Sequence, residues 1–419
     1  MTAMEGFRIK KLSGNLFLCA SPSQQLRFLS PGEHAFLSGG KLQPIPTQHR
    51  GLIAWLKANK TTDKPPEVRL ETLYLEITDL CNLRCSYCIN ASARRKTRGN
   101  LSDRTFSSVV SDFAKLGGKT VILSGGEPLL HPDIVEFAGL VKSKGLRTII
   151  KTNGTIFNAK TELLCSMGVS FDISLDSAKA KTHDRYRGAG SFKLTLKSLQ
   201  AIKSAGGSLN LCSTVLNTDN IGREKTMIAL AASLGFRTIS FTLAMRSGRD
   251  CSRTATTSQE LLGRTLTRLF RLKLQFRDRI NVEGSLFGEA LGILTYGGQR
   301  MCYGCSIGRV VKISSDGSVF SCPYFTNTQN SIGNINKNPL RRLAGKSGPL
   351  KLQVTALFSK RNRIPKCTAC FWKDFCGGGC AVESVASCGT LLAPDGSCKS
   401  RDLLFRAILR SLYTGGLKL

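Results

Sequence analysis

Residues 72–88 read TLYLEITDLCNLRCSYC, an apolar run of strand length that ends directly in Cys81-Asn-Leu-Arg-Cys85-Ser-Tyr-Cys88. The run is rich in the residue types that favour a pleated, buried segment, so it predicts a strand. Three thiols in a C-x3-C-x2-C spacing are therefore delivered together at one strand terminus. Further apolar runs follow: TVILSGG (120–126), RTIIKTNG (147–154), VSFDISLD (169–176), LNLCSTVLN (209–217) and RTISFTLA (237–244). Helical patterns lie between them, at 103–116, 132–144, 192–204 and 221–233. Six βα units predict an α/β fold with a parallel sheet or partial (β/α)6 TIM-like barrel, whose sites lie at the C-terminal ends of the strands. An amphipathic helix at 258–276, with Leu262, Leu266 and Leu269 opposed to Arg264, Arg268 and Arg271, closes this domain, taken as 72–285.

Working outward, residues 1–68 hold three short apolar runs (FRIKKL, LFLCAS, QLRFLS) and helical patterns after Pro31 and around GLIAWLKANK, which predict a small α+β module. TTDKPPE (61–67) has the composition of a linker. From about 298 regular periodicity weakens and cysteines concentrate, so the segment 298–405 is expected to be organised around metal.

The 419 residues carry 60 Lys+Arg against 28 Asp+Glu, a formal charge of +32, with 16 Cys and 4 His. This excludes an acidic scaffold and points to an acidic partner or nucleic acid. The opening MTAMEGFRIKK lacks the apolar run of a signal peptide, and no stretch reaches the length of a membrane span. A cytoplasmic location is expected, where a cysteine-rich chain reads as metal-binding or redox-active rather than disulfide-bonded.

Three thiolates on a tight loop suit a cubane iron–sulfur cluster with one iron left without a protein ligand, whereas structural zinc takes four protein ligands. The loop resembles that of the radical S-adenosylmethionine (SAM) superfamily, including the aromatic Tyr87 before the third cysteine. The resemblance implies that Cys81, Cys85 and Cys88 hold a 4Fe-4S cluster whose open iron chelates SAM, giving a 5′-deoxyadenosyl radical on reduction. Ser124-Gly125-Gly126-Glu127-Pro128 resembles the family's GGEP element, which implies contacts to the SAM amino group. Strand three ends at Thr152-Asn153 and strand four at Ser174-Leu175-Asp176. By analogy Ser174 and Arg187 bind the SAM carboxylate, with Arg185 as the alternative. His131 and His183 read as helix-start or loop residues rather than bases, and Asn217 as either a ribose contact or a turn residue.

The second group is Cys302-x2-Cys305-x11-Gly317-x4-Cys322, Cys367-x2-Cys370-x5-Cys376-x3-Cys380 and Cys398. Zinc knuckles are one reading of such pairs. The order resembles the SPASM extension of peptide-modifying radical SAM enzymes, which implies two auxiliary 4Fe-4S clusters, one on Cys302, Cys305, Cys322 and Cys380 and one on Cys367, Cys370, Cys376 and Cys398, with Cys388 an alternative to Cys398. Cys19, Cys165, Cys212 and Cys251 remain as small hydrophobes.

The resemblance implies an enzyme that modifies a ribosomally made precursor peptide, by crosslinking or related C–H activation, with a donor such as flavodoxin or ferredoxin and the N-terminal module as a leader-binding or packing unit. A sulfatase-maturing enzyme is the alternative; its carboxylate after the G-x4-C cysteine is absent here, where Pro323 and Tyr324 follow Cys322. A basic zinc-binding nucleic-acid protein is a remote second class, opposed by 7% aromatic content. The acid-free span 317–373 holds ten Lys/Arg and, with Arg94, Arg95, Lys96 and Arg98, is expected to form a basic surface for an acidic peptide.

Overall fold

The computed structural model describes residues 7–13, 16–21, 26–38, 51, 54, 67–92, 99–244, 248–249, 258–284 and 306–413, and among these described residues there are fourteen α-helices and thirteen strands. The three N-terminal runs form β1 (Arg8–Ser13), β2 (Leu16–Ala20) and β3 (Leu26–Leu29), an antiparallel meander followed by α1 (Pro31–Ser38). The helix expected around GLIAWLKANK and most of the linker lie outside the described residues.

Alternating units follow: β4 (Thr72–Thr78), α2 (Asp103–Lys115), β5 (Thr120–Gly125), α3 (Ile134–Ser143), β6 (Arg147–Thr152), α4 (Ala159–Ser166), β7 (Ser170–Ser174), α5 (Ala180–Arg187), α6 (Ser191–Ser204), β8 (Ser208–Leu216), α7 (Glu224–Leu234), β9 (Thr238–Leu243), α8 (Gln259–Gln275) and β10 (Asn281–Gly284). Side-chain caps fix several helix starts: Ser102 accepts from Thr105 N, Ser258 from Leu261 N, and Asn158 forms a capping box with Thr161. Then come β11 (Val310–Ile313), β12 (Ser318–Phe320), β13 (Gly333–Asn334), α9 (Leu340–Leu343), α10 (Pro349–Arg363), α11 (Pro365–Thr368), α12 (Lys373–Cys376), α13 (Ala381–Cys388) and α14 (Cys398–Tyr413).

One sheet runs in the order β10-β9-β8-β7-β6-β5-β4-β11-β12-β13, parallel from β10 through β11 and antiparallel thereafter, and its order does not close on itself. It exceeds the six expected strands at both ends. β10 is short and β11 comes from the segment expected to be a separate C-terminal unit; Val310 pairs with Thr72, so the hairpin covers the edge that β4 would otherwise expose.

Alternation decides the two faces of this sheet. Leu73, Leu75, Ile77, Val121, Leu123, Ile150, Phe171 and Ile173 are solvent-free and join Phe106, Val109, Val110 and Phe113 of α2 in the core under the helices. Tyr74, Glu76, Ser124, Lys151 and Asp172 point to the opposite, concave face.

The C-terminal helix returns to the barrel. α14 packs on α8, where Ser400 Oγ donates to the Gln259 carbonyl at 2.8 Å. The N-terminal meander is tied to the same region: Arg8 Nε donates to the Phe371 carbonyl at 3.1 Å, and Lys10 pairs with Asp402 at 3.0 Å. Trp372 Nε1 donates to the same Asp402 carboxylate at 2.6 Å.

Candidate active site

The cysteine loop leaves β4 and is clamped by main-chain bonds from two directions. Ser86 N donates to the Tyr186 carbonyl at 2.9 Å, and Arg249 N to the Cys88 carbonyl at 2.9 Å. The Arg249 guanidinium donates to the carbonyls of Cys85, at 2.7 Å, and of Ser92. Gly248 lies so close that a Cβ there would stand 2.2 Å from the Cys88 carbonyl oxygen. Arg249 carried no sequence signal, because the segment before it has no motif and its role depends on a contact across more than 150 residues.

Burial, reinforced by the field of Glu127 and the neighbouring thiols, pushes Cys81 up to about 12, and burial raises Cys85 as well. Such thiols keep their protons unless a metal cation replaces them. Among the described residues no three His, Cys, Asp or Glu side chains converge closely enough to hold one metal ion. The ligands of a four-iron cluster sit further apart than those of one ion, and three mutually interacting soft thiols with a fourth direction open are the donor set that such a cluster needs.

At the end of β5, Gly125 has φ of +150°, and a Cβ on it would lie 2.2 Å from the Thr78 carbonyl oxygen; one on Gly126 would lie 2.1 Å from that of Leu80. Gly126 N and Glu127 N donate to those two carbonyls at 2.8 and 2.7 Å. The paired glycines thus let β5 lie against the root of the cysteine loop. Pro128 opens a short 3-10 turn directly after them. Glu127 is closed to solvent, and its carboxylate accepts from Thr152 Oγ1 at 2.7 Å, Asn153 N at 2.8 Å and Leu129 N at 3.2 Å. Burial still pushes it up to about 7 in spite of these donors. Asn153 completes the link: its Nδ2 donates to Asn82 Oδ1 at 2.9 Å and lies 4.0 Å from Cys81 Sγ.

Beyond the end of β7 the two arginines have different surroundings. Arg185 is exposed and pairs with Asp219 at 3.0 Å, whereas Arg187 is buried and its Nε donates to Asp176 Oδ2 at 2.6 Å. Asp176 is a hub that motif reading left in the background: it also takes the Tyr87 hydroxyl and Val215 N. The Arg187 guanidinium lies over the Tyr87 ring at 5.6 Å, and Cys85 Sγ is 4.0 Å from the Arg187 carbonyl. Burial opposes the Arg187 charge, but Asp176 outweighs it and holds the guanidinium protonated. Ser174 pairs with Ser213 in the strand ladder beside this hub.

The histidines behave as structural residues. His183 Nδ1 accepts from Asp176 N at 3.2 Å, and burial, with Arg187 nearby, lowers it to about 4. His131 Nδ1 accepts from Asp133 N at 3.1 Å. Asn217 is a turn residue, its Oδ1 accepting from Asp219 N and Asn220 N at 2.9 and 3.1 Å.

In the C-terminal region Cys302 and Cys305 lie outside the described residues, as do Cys251 and the Arg94–Arg98 run. Cys322 is buried just after β12. Burial pushes Cys367 up to about 11, with contributions from Cys376, Cys398 and Cys370, so those four thiols share one locality. Cys388 is exposed at the end of α13. Cys380 N instead donates to Asp395 at 2.8 Å, and Asp395 is paired with the buried Arg401. Cys19, Cys165 and Cys212 are buried among apolar neighbours. The expected basic surface is smaller than the charge run: Lys360 and Arg361 are interior, and Arg341 pairs with Asp112 at 3.0 Å.

Residues 75–231 match the family model described as Radical SAM superfamily. The chain is 28% identical over 348 residues to an AdoMet-dependent heme synthase of Methanosarcina barkeri, covering 77% of this chain and 94% of that protein. It is 28% identical over 328 residues to the mycofactocin maturase MftC of Mycobacterium ulcerans, covering 77% and 86%. Among solved structures, native anSMEcpe with bound AdoMet superposes with a TM-score of 0.67 at 19% identity, over 83% of this chain and 98% of that one. SuiB of Streptococcus suis bound to its precursor peptide SuiA gives 0.62 at 16%, over 94% and 98%. At these identities the two structures show the shared fold. No helix among the described residues is long and apolar enough to cross a membrane.

Proposed function

The chain is a radical SAM enzyme, and from that premise we propose that it is a maturase acting on a ribosomally made precursor peptide. The observation that carries the proposal is the convergence of the Cys81, Cys85 and Cys88 loop with the termini of β5, β6 and β7 at one end of the sheet. Cys81, Cys85 and Cys88 would hold a 4Fe-4S cluster, which together with SAM would supply radical chemistry for hydrogen abstraction from the substrate.

The chain's own part is positioning. Arg249 and Gly248 hold the loop down from one side, while Asn82 and Asn153 brace Cys81 from the other. Glu127 ties the tips of β5 and β6; with its carboxyl pushed up by burial, a cationic amino group nearby would favour the ionised form. Tyr87 and Arg187, ordered by Asp176, form the other wall together with Ser174 at the end of β7, where the SAM carboxylate is assigned.

Two auxiliary clusters belong to this proposal, on Cys302, Cys305, Cys322 and Cys380 and on Cys367, Cys370, Cys376 and Cys398. The shared locality of the last four supports the second set. The exposure of Cys388 favours Cys398 as the fourth ligand. Flavodoxin or ferredoxin in the cytoplasm is the proposed reductant.

Likeness to the heme synthase favours a second reading, in which the substrate is a tetrapyrrole. The peptide reading is supported by the mycofactocin maturases, which match over the same 77% of this chain as the heme synthase, and by the fold shared with SuiB. The sulfatase-maturing alternative is less supported: Pro323 stands where its carboxylate is expected. The test is anaerobic turnover of the reconstituted protein with SAM and dithionite. We expect 5′-deoxyadenosine, abolished in Cys81→Ala, and a mass change on a short peptide encoded beside the gene. Formation of 5′-deoxyadenosine by Cys81→Ala at the parental rate would overturn the assignment; turnover of an iron porphyrin instead of peptide would establish the second reading.

A further inference from the structure

A layer of polar and charged side chains crosses the concave face one step below the cysteine loop. Strand register places Glu76 beside Ser124, Lys151 beside Asp172, and Lys312 beside Tyr74. Apolar branched residues normally fill the inside of such a barrel, because a charge withdrawn from water costs several kcal/mol unless it is paired. Most of this layer is paired. Glu76 accepts from Asn90 Nδ2 at 2.6 Å and from Lys312 Nζ at 3.1 Å. Asp172 accepts from Asn210 Nδ2 at 2.6 Å, and Ser124 Oγ donates to the Tyr74 hydroxyl at 3.2 Å.

Lys151 is different. It is partly buried, and among the described residues its ammonium has no hydrogen bond and no carboxylate within ion-pair distance; burial lowers it, the field of Asp172 opposes that and the field of Arg187 adds to it. It is also placed where chemistry occurs. The next two residues, Thr152 at the end of β6 and Asn153 just beyond it, hold Glu127 and reach toward Cys81. At about 3.3 Å per strand residue, Lys151 stands roughly 7 Å below the Asn153 position that faces the cluster loop.

We propose that Lys151 anchors a carboxylate of the substrate, so that the chain acts on a molecule presenting an aspartate or glutamate side chain, or a free C-terminus, on the concave face beneath the SAM site. A single anchored carboxylate fixes the orientation of the substrate against a radical that reacts with whichever C–H bond it meets. An unpaired cation inside a groove selects an anion, because any neutral group in its place leaves the ammonium uncompensated. The inference rests on the reading of this face as the substrate site and names the chemical class it takes.

Lysine reactivity mapping tests it without turnover, so its result is independent of the 5′-deoxyadenosine assay. The anaerobic holoenzyme is treated briefly with sulfo-N-hydroxysuccinimide acetate, and acetylation at Lys151 is followed by peptide mass spectrometry, with exposed Lys144 as internal reference. Succinate at ten times its dissociation constant should slow labelling of Lys151 about tenfold and leave Lys144 unchanged, while succinamide should have no effect. Two short peptides identify the source: one carries aspartate with an amidated C-terminus, the other has no acidic side chain and a free C-terminus. Equal protection by succinamide, or none by any carboxylate, would overturn the proposal. Full protection by SAM alone would also overturn it, by assigning the lysine to the cofactor.

Discussion

Asp176 and Arg187 show how one wall of the proposed SAM site is held by a pair that is itself out of reach of water. The carboxylate binds the guanidinium, the Tyr87 hydroxyl and a main-chain N–H, so the orientation of Tyr87 beside the cysteine loop depends on it. Arginine's planar fork is what allows the bond to Asp176 while the guanidinium lies over the Tyr87 ring, and lysine has no such fork. Arg187→Lys is therefore expected to weaken SAM binding at least about tenfold, whereas Arg185→Lys, at an exposed pair, should stay within about twofold; equilibrium dialysis with labelled SAM measures both. His183 adds a pH term. It is buried with a folded value of about 4 against 6.5 for the free residue, so the unfolded chain binds more protons between those values. The His183 contribution to stability is fully present above about 6.5 and is lost as pH drops toward 4, the loss reaching roughly 2 kcal/mol at pH 5. His183→Asn should flatten that part of the curve in urea titrations at pH 7 and pH 5; an unchanged slope would exclude His183 as its source.

At the scale of elements, the β5 turn is where local backbone chemistry and the site are the same thing. A methyl group at Gly125 would meet the Thr78 carbonyl, and the positive φ disfavours any L side chain. Gly125→Ala must push β5 away from the base of the cysteine loop, and the expected result is loss of about four iron atoms per reconstituted chain, measured by colorimetric iron assay, together with a lower melting temperature. The turn was legible in sequence because its glycines, its proline and the cysteine spacing are local patterns. So were the βα alternation and the major helices. What was not legible depends on contacts between distant residues. Arg249 is picked out by its bonds to the Cys85, Cys88 and Ser92 carbonyls, and β11 is a short run whose strand character comes from the open edge of β4. Lys151 and Asp172 could have been noticed as polar interruptions in buried strands, but their shared layer needs the register between β6 and β7. Arg187 was separated from Arg185 only by burial, since both occupy the same helical turn.

For the whole molecule, net charge and cysteine count turn out to have separate causes. Part of the +32 is neutralised or interior, as Arg341, Lys360 and Arg361 show, so the charge run in sequence overstates the basic face available to a partner. The C-terminal cysteines instead sit where distant parts of the chain meet. Cys398 opens α14, α14 is bound to α8 of the barrel, and Cys367, Cys370 and Cys376 come from the segment that also receives the N-terminal meander through Phe371 and Trp372. A cluster on these four thiols would join the two ends of the chain to the sheet, so its assembly is coupled to folding. Two single replacements separate the ligand from its exposed neighbour. Cys398→Ala should bind about eight iron atoms per chain where the parent binds about twelve, and should be cleaved faster by trypsin near α14, because the helix loses its tether. Cys388→Ala should match the parent in both measurements, since that thiol faces solvent at the end of α13. The reverse pattern, with iron lost only from Cys388→Ala, would move the fourth ligand to Cys388 and would require α13 to turn its last residue inward.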